Sequence, residues 1–213
     1  CISPGSRSTP LTYAVSQNKK IKSYIIVDER TSGFFALGIA KQTKSPVLII
    51  TTSGTATAEL YPSIIEAYQN RVPLIICTAD RPAYLRNTGA NQTINQDNIY
   101  KNHIRFFYDT GLPKLAAKNI KSLKENIVKA FKISWLQDCG PVHLNFPFEK
   151  PLEPDSITDN IDESIISIAL PIKFSLDKNV TNIDSSQKNI SALNLWLKKN
   201  CCGLITVGPG NFS

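Results

Sequence analysis

A doubly wound α/β fold with a parallel sheet is predicted by three features of the sequence: short β-branched runs, helical patterns that alternate with them, and polar clusters that follow them. The runs are residues 24–27 (YIIV), 46–51 (PVLIIT) and 73–78 (PLIICT), and continuous apolar runs of this length suit strands covered by helices on both faces. Their alternation at β-α spacing predicts right-handed crossovers. Ligands bind such sheets outside the carboxyl ends of the strands. The clusters around Arg7, Glu29 and Asp80-Arg81 fall at that edge.

Residues 1–3 read as the end of a strand, and the turn-rich stretch 4–10 (PGSRSTP) leads into a helix over 11–17. Backbone N–H groups, two serines and Arg7 ahead of a helix suit a carboxylate or phosphate. An ordinary capped turn accounts for the same residues and is the commoner case. After the 24–27 run come Asp28, Glu29 and Arg30 at the strand's end. Ser32 then caps a helix running through Gly33 to Lys41, apolar nearly all round, with Gly33 and Gly38 admitting close backbone approach. Glu29 is either a ligand-facing carboxylate or a solvated turn residue, and this stretch alone leaves both readings open.

Thr52-Ser53-Gly54-Thr55-Ala56 follows the second run and opens a helix carrying Ala58, Leu60, Ile64, Ile65, Ala67 and Tyr68. Residues 85–100 are rich in amides, and residues 89–92 (GANQ) suit a polar ligand because amides donate and accept at once; a plain surface loop is the alternative. A strand over 104–108, a basic helix from 114 to about 137 and a closing strand within 140–148 complete the domain. His143 alternates with Val142 and Leu144 and, lacking partners at ligand spacing, is assigned a structural role. The organisation expected is a domain over 1–150, a proline- and acid-rich linker over 151–184, and the start of a second α/β domain over 185–213, with a helix at 185–199 and a strand at 202–207.

The net charge of +7 and pI near 9.1 come from dispersed basic residues, with no zinc-finger spacing or RNP-type motif, so small anions fit the positive field better than nucleic acid. No apolar run reaches the length of a membrane span and no signal segment opens the chain, which sets a cytoplasmic expectation. Five cysteines without a C-x-x-C pair read as reduced core thiols. A chain that starts at Cys1 and contains no methionine is expected to be a piece of something longer. Phosphate-loop, dinucleotide-turn, nucleophile-elbow and H-E-x-x-H motifs are all missing.

Asp28-Glu29-Arg30 with Gly33, Ala36, Gly38, Ala40 and Lys41, then residues 52–56 (TSGTA), 66–68 (EAY) and 140–144 (GPVHL), together resemble the pyrimidine-binding domain of thiamine-diphosphate enzymes. Residues 3–11 (SPGSRSTPL), 78–82 (TADRP) and 89–94 (GANQTI) narrow the resemblance to the 2-succinyl-5-enolpyruvyl-6-hydroxy-3-cyclohexene-1-carboxylate synthase family of menaquinone biosynthesis. The resemblance covers roughly residues 1–150. It implies that Glu29 pairs with N1′ of the cofactor's aminopyrimidine and activates it, with Ser53, Gly54 and Thr55 also at the cofactor. Arg7 and Arg81 would clamp the carboxylates of 2-oxoglutarate and isochorismate, while Ser6, Asn91 and Gln92 would supply neutral hydrogen bonds. The diphosphate and its Mg2+ or Mn2+ would be held by a domain whose G-D-G motif is not in these residues. The implied site is shared between subunits of at least a dimer, and the chain alone would be inactive. Another thiamine-diphosphate decarboxylase or ligase, a stand-alone α/β anion-binding module and a basic nucleic-acid-binding domain remain open at this point.

Overall fold

The computed structural model describes residues 1–153 together with Ser167, Ser191, Asn194, Leu195, Lys198 and Lys199. The chain divides into units Cys1–Leu170 and Pro171–Ser213, and the second lies almost wholly outside the described residues. So do nearly all of the expected linker, the 185–199 helix and the 202–207 strand.

In the first unit, β1 (Val47–Thr51), β2 (Leu74–Asp80), β3 (Phe106–Asp109) and β4 (Val142–Pro147) form one parallel sheet in the order β1-β2-β4-β3. Single parallel bridges extend it beyond β1, from Ile50 to Ile2 and from Ile2 to Ile25. The order reverses on either side of residues 1–3, so the loops following residue 3 and β1 flank a topological switch point.

Side chains alternate along the strands and split the core into two layers. On one face Ile49, Leu74 and Ile76 pack against α2 (Glu29–Thr43) and α4 (Tyr61–Gln69) through Ala36, Leu37, Ala40, Leu60, Ile64 and Ala67. On the other, Ile2, Ile50, Cys77, Val142 and Leu144 meet Leu11 and Val15 of α1 (Thr9–Ser16) and Ala130 of α5 (Ala117–Lys132). Gly33 of α2 faces α4 so closely that a Cβ there would collide with the Ser63 side chain.

Four local expectations are corrected. Residues 24–27 are not buried on both faces: joined to the sheet only at Ile25, they lie at its edge, with Ile25 75% and Val27 79% exposed. The cap of α2 is Asp28, whose Oδ1 accepts from the Thr31 N–H at 2.7 Å, so Glu29 is the first helical residue and Ser32 is buried inside the helix. Phe34 and Phe35 are exposed, and nothing lies within 4 Å of a Cβ built at Gly38, so α2 has one buried face and only Gly33 serves close approach. The helix after β1 is two helices, α3 (Thr55–Glu59) and α4, meeting at Leu60; Pro62, with no N–H to donate, interrupts the bond pattern there.

No helix among the described residues is long and apolar enough to cross a membrane.

Candidate functional site

The loop after residue 3 folds against the loop after β1. A Cβ on Gly5 would collide with the side chain of Thr52, so only glycine permits this approach. The short 3-10 turn Ser6–Ser8 then buries Arg7, which is 8% exposed. Arg7 Nη1 donates to the carbonyl of Phe148 at 2.7 Å, and its buried Nε has no partner among the described residues. Just past β2, Arg81 donates from Nη1 to Ser53 Oγ. Burial lowers the pKa of Arg81, and the neighbouring charge of Arg7 lowers it further. Neither guanidinium forms an ion pair among the described residues; Glu149 instead accepts from the Tyr84 hydroxyl at 2.6 Å. Arg81 also feels the charge of buried Asp80, but two neighbouring cations that form no ion pair among the described residues make a corner that favours an anion.

Glu29 stands at the start of α2, on the same carboxyl edge. Asp28 is committed to the cap, and its bond to Thr31 lowers its pKa. Glu29 is half-buried and no hydrogen bond or ion pair engages its carboxylate among the described residues. The result is an acceptor already in place with its lone pairs uncommitted.

Between these groups lies the turn Ser53-Gly54-Thr55. Gly54 has φ +83°, and a Cβ there would sit 3.0 Å from the carbonyl oxygen of Gln92, itself at φ +53°. The amide loop therefore rests its backbone directly on the turn. Beneath both runs a buried polar network. The Gly54 N–H donates to Gln96 Oε1 at 2.9 Å, and Gln96 Nε2 donates to the Ala79 carbonyl at 3.1 Å and to Asn145 Oδ1 at 3.0 Å. Thr78 Oγ1 also donates to Asn145 Oδ1, at 2.8 Å, and lies 2.7 Å from His143 Nε2. Because the Thr78 hydrogen is spent on Asn145, His143 must donate from Nε2. Burial holds His143 neutral, its pKa pushed down to about 3.

The network ends in charge. Asn145 Nδ2 donates to Asp80 Oδ2 at 2.9 Å and to Asp109 Oδ2 at 3.0 Å, and Arg86 Nη2 bridges the same two oxygens at 2.9 and 3.0 Å. Arg86 Nη1 reaches Asp97 at 3.1 Å. Burial raises the pKa of Asp80, whereas bonds to Asn145, Gly111 and Arg86 outweigh desolvation and lower that of Asp109. Asp80 is fully buried, and its Oδ1 accepts from the Arg81 N–H at 2.7 Å. It therefore positions Arg81.

Of the residues expected at the site, the structure brings Arg7 beside Arg81, Arg81 onto Ser53, and Gly54 onto Gln92. The side chains of Ser6, Glu29, Thr55 and Asn91 share the edge without hydrogen-bonding to the other candidates, and Ser6, Thr55 and Asn91 are exposed. Gln96, Asn145 and Arg86 were not singled out from the sequence. Their signal was faint: polar residues at alternate positions of β4, His143 and Asn145, in an otherwise apolar strand. Among the described residues no group of three or more His, Cys, Asp or Glu could hold a metal ion.

The family profile described as thiamine pyrophosphate enzyme, N-terminal TPP binding domain, matches residues 1–99. Similar proteins include three named 2-succinyl-5-enolpyruvyl-6-hydroxy-3-cyclohexene-1-carboxylate synthase. That of Lysinibacillus sphaericus is 52% identical over 71% of this chain and 26% of its own length. That of Halobacterium salinarum is 46% identical over 77% and 28%, and that of Crocosphaera subtropica 42% identical over 99% and 36%. The chain thus spans between about a quarter and a third of the relatives it matches.

Proposed function

The chain belongs to the thiamine-diphosphate enzymes, in the 2-succinyl-5-enolpyruvyl-6-hydroxy-3-cyclohexene-1-carboxylate synthase family, and on that premise we propose that it supplies the cofactor-activating half of a synthase active site. The reaction is the decarboxylation of 2-oxoglutarate and addition of the remaining four-carbon unit to isochorismate in menaquinone biosynthesis. The observation that carries this reading is the pair Arg7 and Arg81, two guanidiniums that form no ion pair among the described residues, on one sheet edge with a turn and Glu29.

The residues fit the pyrimidine end of the cofactor. Glu29 has a carboxylate that no described residue engages, and the Ser53-Gly54-Thr55 turn, buried at Ser53 and Gly54, lies against the Gln92 backbone, an approach that a side chain on Gly54 would block. When bound, thiamine diphosphate supplies the electron sink that lets a carbon–carbon bond beside a carbonyl break. The Glu29 carboxylate would accept a hydrogen bond from the protonated ring nitrogen N1′. Arg7 and Arg81 bind carboxylate groups of the substrates bidentately, a geometry lysine cannot reproduce. Ser6, Asn91 and Gln92 orient the remaining oxygens. Arg81 also fixes Ser53, so substrate and cofactor contacts are mechanically linked.

The diphosphate and a Mg2+ or Mn2+ ion belong, in this reading, to residues outside this chain, and the site is completed across a dimer. Among the described residues Cys1, Cys77 and Cys139 are free, in accord with a reducing cytoplasm. The test is product formation by the full-length gene product from 2-oxoglutarate and isochorismate. Turnover that requires thiamine diphosphate and both substrates is expected; turnover of a different 2-oxo acid only would replace the synthase assignment with another decarboxylase. The 213-residue chain by itself is expected to release no carbon dioxide.

A further inference from the structure

We propose that Gln96 is a positioning residue that sets the register between the Gly54 turn and the loop carrying Asn91 and Gln92, and so decides how tightly the site holds its 2-oxo acid. This rests on the functional reading above. Gln96 is fully buried, yet it belongs to the same loop as the exposed Asn91 and Gln92. Its three bonds reach three separate pieces of the sheet edge: the Gly54 N–H after β1, the Ala79 carbonyl in β2 and Asn145 in β4. All of its side-chain hydrogens are used, so the orientation of the amide is fixed. Reversing it would set its N–H2 against the Gly54 N–H and its oxygen against two acceptors.

The loop is closed at its base as well. Arg86 pairs with Asp97 at 3.1 Å while also holding Asp80 and Asp109. Residues 87–96 therefore leave the body of the protein at one ion pair and return to it beside Gln96. At the far side the Gln92 backbone lies against Gly54, the residue whose N–H Gln96 holds. Gln96 thus grips the turn from below while its own loop covers that turn from above. Loss of the grip frees both partners of one contact, which is why the effect falls on binding geometry.

Two variants of the full-length protein test this. Gln96→Met keeps an unbranched side chain of similar length and deletes all three bonds. Gln96→Glu keeps the acceptor for Gly54 but, when ionised, turns an oxygen on the Ala79 carbonyl and on Asn145 Oδ1; protonated, it restores one donor. For Gln96→Met, amide hydrogen exchange at Gly54 and across residues 87–95 should quicken at least tenfold. KM for 2-oxoglutarate should rise at least tenfold, with kcat changing less than threefold. For Gln96→Glu, kcat/KM relative to wild type should fall at least tenfold between about pH 6 and pH 8 while the protein stays folded by circular dichroism. If Gln96→Met does not fold, Gln96→Glu at the alkaline end carries both readouts, with its acid end as the near-native reference. Unchanged exchange at Gly54, an unchanged KM, or activity lost only in step with unfolding would overturn the proposal. Absence of thiamine-diphosphate-dependent turnover in the wild type would instead defeat the functional reading, and the exchange rates would still decide the role of Gln96.

Discussion

Arg7 donates from Nη1 to the carbonyl of Phe148 at 2.7 Å, tying the first loop of the chain to the residue just past β4. That bond uses one arm of the guanidinium, and among the described residues the rest of the buried cation has no ion-pair partner. Replacing Arg7 with alanine should lower kcat/KM for 2-oxoglutarate or isochorismate by about 10- to 100-fold, the worth of one lost charge-assisted bond. Lysine should recover only part of it, because it presents a point charge in place of a fork. Steady-state kinetics of the two variants in the full-length protein checks this, and full activity in Arg7→Ala would remove the carboxylate role.

Arg86 makes the only ion pair that fully buried Asp80 forms among the described residues. Arg86→Met should destabilise the protein by about 3–5 kcal/mol, since it leaves Asp80 and Asp109 facing each other with only Asn145 between them. The exposed share of the interaction, Asp97, adds little. Thermal unfolding provides the measurement, and the loss should shrink at acid pH where Asp80, whose pKa is already raised, takes up a proton.

His143 makes folding sensitive to acid. Its pKa falls from 6.5 to about 3 on burial, so below about pH 6.5 the unfolded chain binds a proton that the folded protein refuses. Stability contributed by the neutral ring is therefore complete above pH 6.5 and is lost as pH drops towards 3. In His143→Phe the decline of unfolding free energy between those limits should be shallower by the slope of one proton, about 1.4 kcal/mol per pH unit. Parallel pH profiles of wild type and variant would contradict this assignment.

Glycine substitutions should separate site from scaffold. Gly54→Ala meets both a positive φ and the Gln92 backbone at 3.0 Å, and should cost about 1–3 kcal/mol in strain while weakening cofactor or substrate binding. Gly38→Ala meets nothing within 4 Å on an exposed part of α2, and should stabilise by about 0.5–1 kcal/mol without altering kinetics. Melting temperature and KM, measured together on both variants, check the contrast.

Periodicity carried most of the fold. Apolar runs at 46–51 and 73–78 became β1 and β2, and the basic amphipathic pattern became α5, because burial between helix layers leaves a composition signal along the chain. Residues 24–27 have the same composition but lie at the sheet's edge, and hydrophobicity alone does not say what covers a strand. Of the candidate site, the local part was legible: Arg7 and Glu29 each follow a residue bridged to the sheet, Ile2 and Ile25, within a few positions. The supporting network was not, because Gln96, Thr78, Asn145 and Arg86 meet only after four separate elements pack. The capping role of Asp28 over Ser32 was a local competition, settled when the helix began one turn earlier than the apolar pattern indicates.

In the proposed function Glu29 activates the cofactor. The most direct test of that role is thiamine-diphosphate-dependent release of carbon dioxide from 2-oxoglutarate by the full-length protein, wild type against Glu29→Gln, with folding verified in both. The account predicts a fall of at least about 100-fold in the variant, as expected when a positioned acid–base group is removed, with the arginine corner and the fold intact. Turnover in Glu29→Gln equal to wild type would contradict it and return Glu29 to the status of a helix-start residue in solvent.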